Sequence, residues 1–377
     1  MTEEMDDIAR PLVARIDLSA IRDNTAFLKG LIPAGCRFMA VVKANAYGHG
    51  DLEVSRAALR AGADVLGVAL LEEAERLRDA GFDCPIHLLF ETPPGAAARV
   101  AAAGVTCSLY TEGLAVALDG AVRGQGRTAP VHIKVDTGMR RVGIRPEAVG
   151  EFASVLGRLP GLEVEGIYTH FAVATEPGDP FTDRQMDLFE KAAAEAEAAL
   201  GHRLVRHAAN SAGVMAFPRS HYDMVRAGIA MYGLPPSESF AGVGGLRPAL
   251  AVAGQISMVK KVKAGESISY GMQYSPPCST YIGTLPLGYA DAMSRILTGK
   301  TEVLVGGRRR PVVGAICMDT CMVDLGSEPV EPGAPFTVIG RDGTEEITAD
   351  EVARRLGTIN YEVCCMISSR VPRVYIN

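Results

Sequence analysis

The sequence has no excess of positive charge. Its 38 lysines and arginines stand against 44 acidic residues, a formal net charge of −6, so no overall field favours nucleic acid or an anionic membrane surface. It also lacks a long apolar run, because Arg, Glu or Asp interrupts every candidate before the roughly 18 residues of a membrane span are reached. The first residues, MTEEMDD, are acidic where a secretory signal would be basic, and Arg10, Arg15 and Asp17 follow in place of an apolar core. A soluble, cytoplasmic protein whose mature chain starts here is the expectation. The 8 cysteines, at 36, 84, 107, 278, 317, 321, 364 and 365, include no Cys-x-x-Cys pair. Neither a disulfide framework nor a metal site is supported, and reduced, mostly buried thiols are expected. Disorder has no compositional basis either, since 48% hydrophobic and 22% charged residues with 41 Gly and 22 Pro in 377 describe a globular chain with a large core. The length suits two unequal domains acting on small molecules.

Short apolar, β-branched runs alternate with helical stretches over the first two thirds of the chain. The runs are RFMAVVK (37–43), DVLGVAL (64–70), PIHLLF (85–90), VTCSLY (105–110), VHIKVD (131–136), VEGIYTHF (164–171), LVRHAAN (204–210) and YDMVRAG (222–228). Between them, segments such as LEEAERLRDAG and RQMDLFEKAAAEAEAALG carry apolar residues three and four apart. Strand and helix alternating eight times is the pattern of a (β/α)8 barrel of the TIM type, whose strands are buried on both faces. A doubly wound sheet is the rival architecture. No Gly-x-Gly-x-x-Gly follows the first strand, which weakens the dinucleotide-binding form of that rival.

From about residue 246 the pattern changes to apolar runs separated by Gly/Pro turns, with one good helical stretch, TADEVARRLG. The fold class expected is α/β, an N-terminal barrel over residues 1–245 followed by a mostly β domain over 246–377. The Gly/Ser/Pro-rich segment 237–248 joins them.

In a barrel the loops after the strands converge on one pocket, so strand ends form a shortlist of candidate residues. Strand one ends in Lys43, where burial would lower the amine's pKa and suit it to Schiff-base chemistry or proton abstraction. Taken alone it reads as well as a lysine snorkelling to solvent. The other ends supply Lys134, Asp136 and Thr137 through Arg141, then His170, then Asn210 and Ser211, then Arg226 and Gly228. Ser211 opens a short helix, so its hydroxyl and nearby N–H groups could hold a phosphate, and Gly228 would let the backbone approach closely. Singly, Ser211 reads as a helix cap and His170 as a core histidine. A lysine, a phosphate cradle and cations around one pocket together read as a pyridoxal phosphate site.

The motifs AVVKANAYGHG, KVDTGMRRVG, THFA, HAANSAG, VRAGIAMYG, ISYG, LPLGYAD, CMD and TINYEV follow one another across almost the whole chain. In this the sequence resembles the alanine racemase family. The resemblance implies a fold-type III pyridoxal phosphate enzyme that interconverts L- and D-alanine, the latter for peptidoglycan. It also implies a head-to-tail homodimer with active sites shared between subunits. By the same resemblance Lys43 is the cofactor-bearing lysine and the base on one face, and Tyr270, from the other subunit, works the opposite face. Tyr47, Ser211, the backbone of Gly228 and Ile229, and Tyr361 match the phosphate-binding set. Arg226 matches the arginine at the pyridine nitrogen, with His170 beside the ring and Asn210 nearby. Arg141 and Met318 match the substrate-carboxylate and cofactor-oxygen contacts, and the spacing to Gly143 selects Arg141 over Arg140. Lys134 matches a lysine often carbamylated in the family, and Tyr289 and Asp319 match the entrance to the site. Gly-Ala-Ile precedes CMD where the family commonly has an arginine.

Racemisation requires a proton removed from one face of a planar carbanion and another delivered to the opposite face, so two acid–base groups must flank the cofactor. Lys43 and Tyr270 are of the right types. An arginine at the pyridine nitrogen holds its proton, leaving the ring a weaker electron sink than an acidic partner would. A racemase for serine or a wider range of amino acids is the alternative. A related barrel decarboxylase is disfavoured by Arg226, and a non-enzymatic cofactor carrier by the β domain with Tyr270.

Overall fold

The computed structural model describes residues 9–377, so the acidic MTEEMDD stretch lies outside the described residues. Contacts divide the chain into two compact units. One is made of Ala20–Ala46 and Asp51–Arg247, the other of the chain up to Ser19, Tyr47–Gly50 and Pro248–Asn377.

Strand β1 (Leu12–Asp17) belongs to the second unit. The first unit is a closed barrel of parallel strands, β2 (Arg37–Val41), β3 (Val65–Val68), β4 (Ile86–Leu88), β5 (Thr106–Leu109), β6 (Ala129–Lys134), β7 (Leu162–Tyr168), β8 (Val205–His207) and β9 (Met224–Ala227), with β9 pairing back to β2. Each falls within or beside one of the eight apolar runs. They are legible because side chains on both faces of each strand are mostly buried, which forces near-continuous apolar sequence. The helices outside the barrel carry the expected stripe. In Phe181–Leu200 the buried side includes Met186, Phe189, Ala192, Ala193 and Ala196, and the helix stops at Gly201 in the left-handed conformation.

The second unit is a mostly antiparallel sheet. Its further strands are β10 (Leu250–Gln255), β11 (Met258–Val262), β12 (Thr280–Leu285), β13 (Glu302–Val305), β14 (Arg308–Val313), β15 (Cys321–Gly326), β16 (Pro335–Asp342), β17 (Glu345–Ile347) and β18 (Arg373–Ile376). The order is β11-β12-β15-β14-β13-β16-β10-β1-β18, with β17 on β16. No apolar run was expected to make a strand at β1. It lies between β10, antiparallel, and β18, parallel. Val262, Ile268, Ile282, Val313 and Met322 form one core cluster with Tyr274 against it. The expected helix is Ala349–Leu356, whose first turn is capped by Thr348 accepting from the Glu351 N–H at 3.0 Å.

The loop after β6 is held tightly. Asp136 N–H donates to Ile144 at 2.8 Å and Ile144 N–H to Lys134 at 2.8 Å. Between them Gly143 has φ +130°, and a Cβ there would lie 2.7 Å from the Asp136 nitrogen. Gly143→Ala should therefore cost about 2–3 kcal/mol of stability through strain and overpacking. Urea unfolding would check this, and an unchanged midpoint would contradict it.

Candidate active site

Lys43 lies just beyond β2 and not at its end, because the strand stops at Val41. It opens a turn in which Ala44, Asn45, Ala46 and Tyr47 all have φ between 51 and 53°. Left-handed backbone costs an L-residue roughly 1–2 kcal/mol each, so neighbouring groups must fix it. Two side chains do so. Ala44 N–H donates to Glu73 Oε1 at 2.6 Å, and Asp51 N–H donates to Asn45 Oδ1 at 3.1 Å. Glu73 Oε2 also accepts from the N–H groups of Ala69 and Leu70 at 2.8 and 3.1 Å, tying the lysine turn to the start of the helix Leu71–Asp79.

Across the barrel mouth, Ser211 Oγ accepts from the N–H groups of Gly228 at 2.9 Å and Ala230 at 3.3 Å. The cap of the helix Ser211–Ala216 is not Ser211 but Asn210, whose Oδ1 accepts from Gly213 N–H at 3.0 Å. This leaves the serine for the Gly228–Ile229 turn, which opens the 3-10 segment Ile229–Tyr232.

Arg226 is buried in the barrel lumen. Its Nη2 donates to the carbonyls of Thr169 (2.7 Å) and Ala208 (2.9 Å) and to His170 Nδ1 (3.3 Å), while Nη1 donates to His207 Nδ1 (3.0 Å). Burial, helped by the charge of Arg141, pulls its pKa down to about 10. Burial together with Arg226, Lys134, Arg141 and Lys43 holds the His170 imidazole well below its usual range, and so neutral. Because Arg226 can only donate, His170 Nδ1 is the bare nitrogen.

Lys134 is buried with its ammonium 4.6 Å from the Tyr168 ring centre and 5.5 Å from that of Phe90. Burial and the charges of Arg226, Arg141 and Lys43 lower its pKa to about 7, against the opposing pull of Asp136. The two adjacent arginines differ. Arg141 lies over the Phe90 ring at 5.3 Å, whereas Arg140 has φ +58° and donates its backbone N–H to Asp136 Oδ1 at 3.0 Å. Lys43, Lys134, Arg141, His170, Asn210, Ser211, Arg226, Gly228 and Ile229 thus all belong to the barrel unit, at or just past the C-terminal ends of its strands.

The other candidates lie in the second unit. The rings of Tyr47 and Tyr361 are 6.1 Å apart, and burial pushes both hydroxyls up from their usual pKa. Tyr270 stands in a short turn, 73% exposed, between Ser269 (φ +66°) and Met272 (φ +50°). It borders a cavity of about 530 Å³ shared with Lys260, Val262, Ile268, Cys317 and Met322. Ser269 anchors that turn by donating to the carbonyl of Ala315 at 2.7 Å. Tyr289, Met318 and Asp319 share one patch. Tyr289 N–H donates to Cys317 at 3.0 Å and Ala290 N–H to Met318 at 3.1 Å, while Arg370 grips Asp319 Oδ1 at 2.6 Å. Beneath them the buried Asp291 takes both Arg10 nitrogens at 2.6 Å.

Sequence reasoning passed over Glu73, Tyr168 and the lumen histidines His87, His132 and His207. A signal existed, since His132 and Lys134 in VHIK are two apart and must share a strand face. Among the described residues no group of three His, Cys, Asp or Glu is placed to hold a metal ion, and no helix is long and apolar enough to cross a membrane. All 8 cysteines are free thiols.

Residues 16–236 match the family model described as the alanine racemase N-terminal domain, and residues 249–375 match the model of the alanine racemase C-terminal domain. The chain is 48% identical over 370 residues to an alanine racemase of Symbiobacterium thermophilum, covering 98% of each. It is 44% identical to alanine racemase 1 of Bacillus subtilis, covering 96% of this chain and 92% of that one. Among solved structures it resembles the alanine racemase of D-cycloserine-producing Streptomyces lavendulae, with TM-score 0.94, 38% identity and 98% of each chain covered. It also resembles that of Bacillus anthracis with bound L-Ala-P, with TM-score 0.93, 39% identity and 98% and 96% coverage. A barrel followed by a β unit, both domain models in order and relatives matched from end to end establish that the chain belongs to the alanine racemase family, the pyridoxal phosphate-dependent isomerases.

Proposed function

We propose that this enzyme interconverts L- and D-alanine by two-base chemistry, with pyridoxal phosphate held at the mouth of the barrel. The observation that carries the reading is the gathering at the barrel mouth of the cations Lys43, Arg141 and Arg226 with a neutral imidazole, His170, that accepts from Arg226. Such a set fits an anionic cofactor and a substrate carboxylate. The backbone also fits the cofactor, because hydrogen bonds hold the Ser211 hydroxyl beside the Gly228–Ile229 turn, which gathers hydroxyl and N–H donors at one place for a phosphate.

When bound, pyridoxal phosphate supplies the electron sink that acidifies the α-hydrogen. Lys43 anchors it and holds or takes a proton at Nζ on one face. The Tyr270 hydroxyl of a second copy of the chain does the same on the other face, and its high exposure in this single chain suits a group that acts across a dimer interface. Ser211, the N–H groups of Gly228 and Ile229, and the Tyr47 and Tyr361 hydroxyls bind the phosphate. Arg226 donates to the ring nitrogen and keeps its own proton, which weakens the sink and restrains side reactions such as transamination. His170 and Asn210 border the ring, and Arg141 and Met318 meet the substrate carboxylate and the cofactor oxygen. Tyr289 and Asp319 guard the entrance, where tyrosines exclude large side chains. Free thiols throughout suit the reducing cytoplasm.

Borohydride reduction of the holoenzyme should fix pyridoxyl on Lys43 alone, and peptide mapping that finds it on another lysine would end the assignment. Dimer sharing is tested by refolding a mixture of inactive Lys43→Ala and Tyr270→Ala chains. Half the dimers are then mixed and each has one intact site, so roughly a quarter of wild-type activity should return. No recovery, with mixed dimers present, would exclude sharing.

Lys134, with its pKa near 7, is the residue proposed to be carbamylated. Above that pH its amine is neutral and can take up carbon dioxide, whereas below it the ammonium cannot. With labelled bicarbonate, a carbamate carbon signal should grow between about pH 6 and 8 and be missing from Lys134→Ala. An unchanged signal in that variant would remove the assignment.

A further inference from the structure

Beneath Arg226 the barrel lumen holds a polar column that cofactor binding and proton transfer leave unused. His87 on β4, His132 on β6 and His207 on β8 contribute one imidazole each from alternate strands. The ring centres are 4.7 Å apart for His87–His132, 5.0 Å for His132–His207 and 5.6 Å for His87–His207. All three are buried, and burying a polar ring is costly unless its nitrogens are paired. Room is made for them at a specific position, since a Cβ on Gly166 would lie 2.5 Å from His132 Cε1. Tyr168 stacks on His207 at 4.7 Å and 9° and fixes the plane of that ring.

The direction of the hydrogen bonds follows from Arg226, which has donors and no acceptor. Its Nη1 donates to His207 Nδ1 at 3.0 Å, so that nitrogen is bare and the His207 proton sits on Nε2. His207 Nε2 lies 2.8 Å from His132 Nδ1, which must accept, leaving the His132 proton on Nε2. That nitrogen faces Glu165 Oε2 at 4.0 Å. The opposite tautomer at either ring would set two N–H groups against each other. Burial, with the charges of Arg37 and Arg226, lowers the His132 pKa to about 3, and burial with Arg226 holds His207 well below its usual range, so neither ring takes a second proton near neutrality. The column ends at a cavity of about 320 Å³ lined by Arg37, His87, Pro130, His132 and Glu165, at the N-terminal end of the barrel.

We infer that His207 and His132 are positioning residues for Arg226, forming a one-way hydrogen-bond chain that runs from the guanidinium down the lumen through His207 to His132. Two carbonyls and His170 hold Nη2, while His207 alone among these acceptors holds Nη1. Without it the guanidinium can turn about the Nη2 bonds and lose its aim at the ring nitrogen. The inference rests on the proposed role of Arg226 and adds what fixes that residue from the side away from the substrate.

The test compares His207→Gln with His207→Phe. Glutamine keeps an acceptor for Arg226 and a donor for His132, whereas phenylalanine keeps the volume and the stack on Tyr168 but has neither. In alanine racemisation His207→Phe should lose about 10–100-fold in kcat with KM nearly unchanged, as misaimed catalytic groups do, while His207→Gln stays within about fivefold of wild type. A filler role predicts the reverse order, so Phe equal to or better than Gln would overturn the proposal. Independently, nitrogen-15 spectra of labelled histidine in the wild-type holoenzyme should report a proton on Nε2 alone for both His207 and His132. A proton on Nδ1 of either ring would overturn the chain whatever the variants do. Should the wild type fail to racemise alanine, the functional reading falls while the imidazole spectra still decide the chain.

Discussion

A guanidinium buried without a carboxylate against it has to be held by neutral acceptors, and that constraint organises the interior of the barrel around Arg226. Its hydrogen-bond acceptors are two carbonyls and two imidazoles. Each imidazole must present a bare nitrogen to it, and burial, reinforced by the guanidinium's positive charge, keeps both neutral. The same charge, added to burial, brings Lys134 to a pKa near 7, where its amine is chemically available. Burial and this cation together bias the protonation of the groups around it. A carboxylate in the same place would pair with the guanidinium and reverse each of these effects.

The second constraint is rigidity where the chain departs from regular structure. Four successive L-residues in the left-handed region after Lys43 are strained, and strain of this kind persists only where the surroundings over-determine it. Glu73 provides much of that restraint by bonding the turn and the following helix through one carboxylate. Gly143 does the corresponding work after β6 by letting two loop strands approach within backbone contact. The backbone geometry therefore fixes where the proposed catalytic lysine leaves the barrel wall, which suits a group that must meet one face of a plane.

The β unit presents its chemistry differently. Tyr270, Met272, Met318 and Tyr289 are large side chains left exposed, yet the turns that carry them are anchored by Ser269 on Ala315 and by Asp291 and Asp319 on arginines. Exposed aromatic and thioether groups on fixed turns are suited to meeting another protein surface. The same polar anchors leave those side chains free to serve the proposed shared site.

The eight barrel strands were legible in the sequence because strands buried on both faces must be apolar throughout, and the family was legible because its motifs keep their order. Lys43, Arg141, Ser211 and Arg226 drew notice as reactive residue types at or after candidate strands. The sequence did not show β1 as part of the β unit, since strand pairing across more than two hundred residues leaves no local pattern. It did not show that Asn210 rather than Ser211 caps the helix, because both residue types do so equally well and only the position of Gly228 decides which side-chain oxygen is left for the helix. The histidine column escaped for the same reason. IHL, VHIK and VRH each read as an apolar strand with one odd residue, and only closure of the barrel brings the three rings within hydrogen-bonding and stacking distance beneath Arg226. Local periodicity decides which elements form, whereas the direction of a hydrogen-bond chain depends on neighbours that only the tertiary structure supplies.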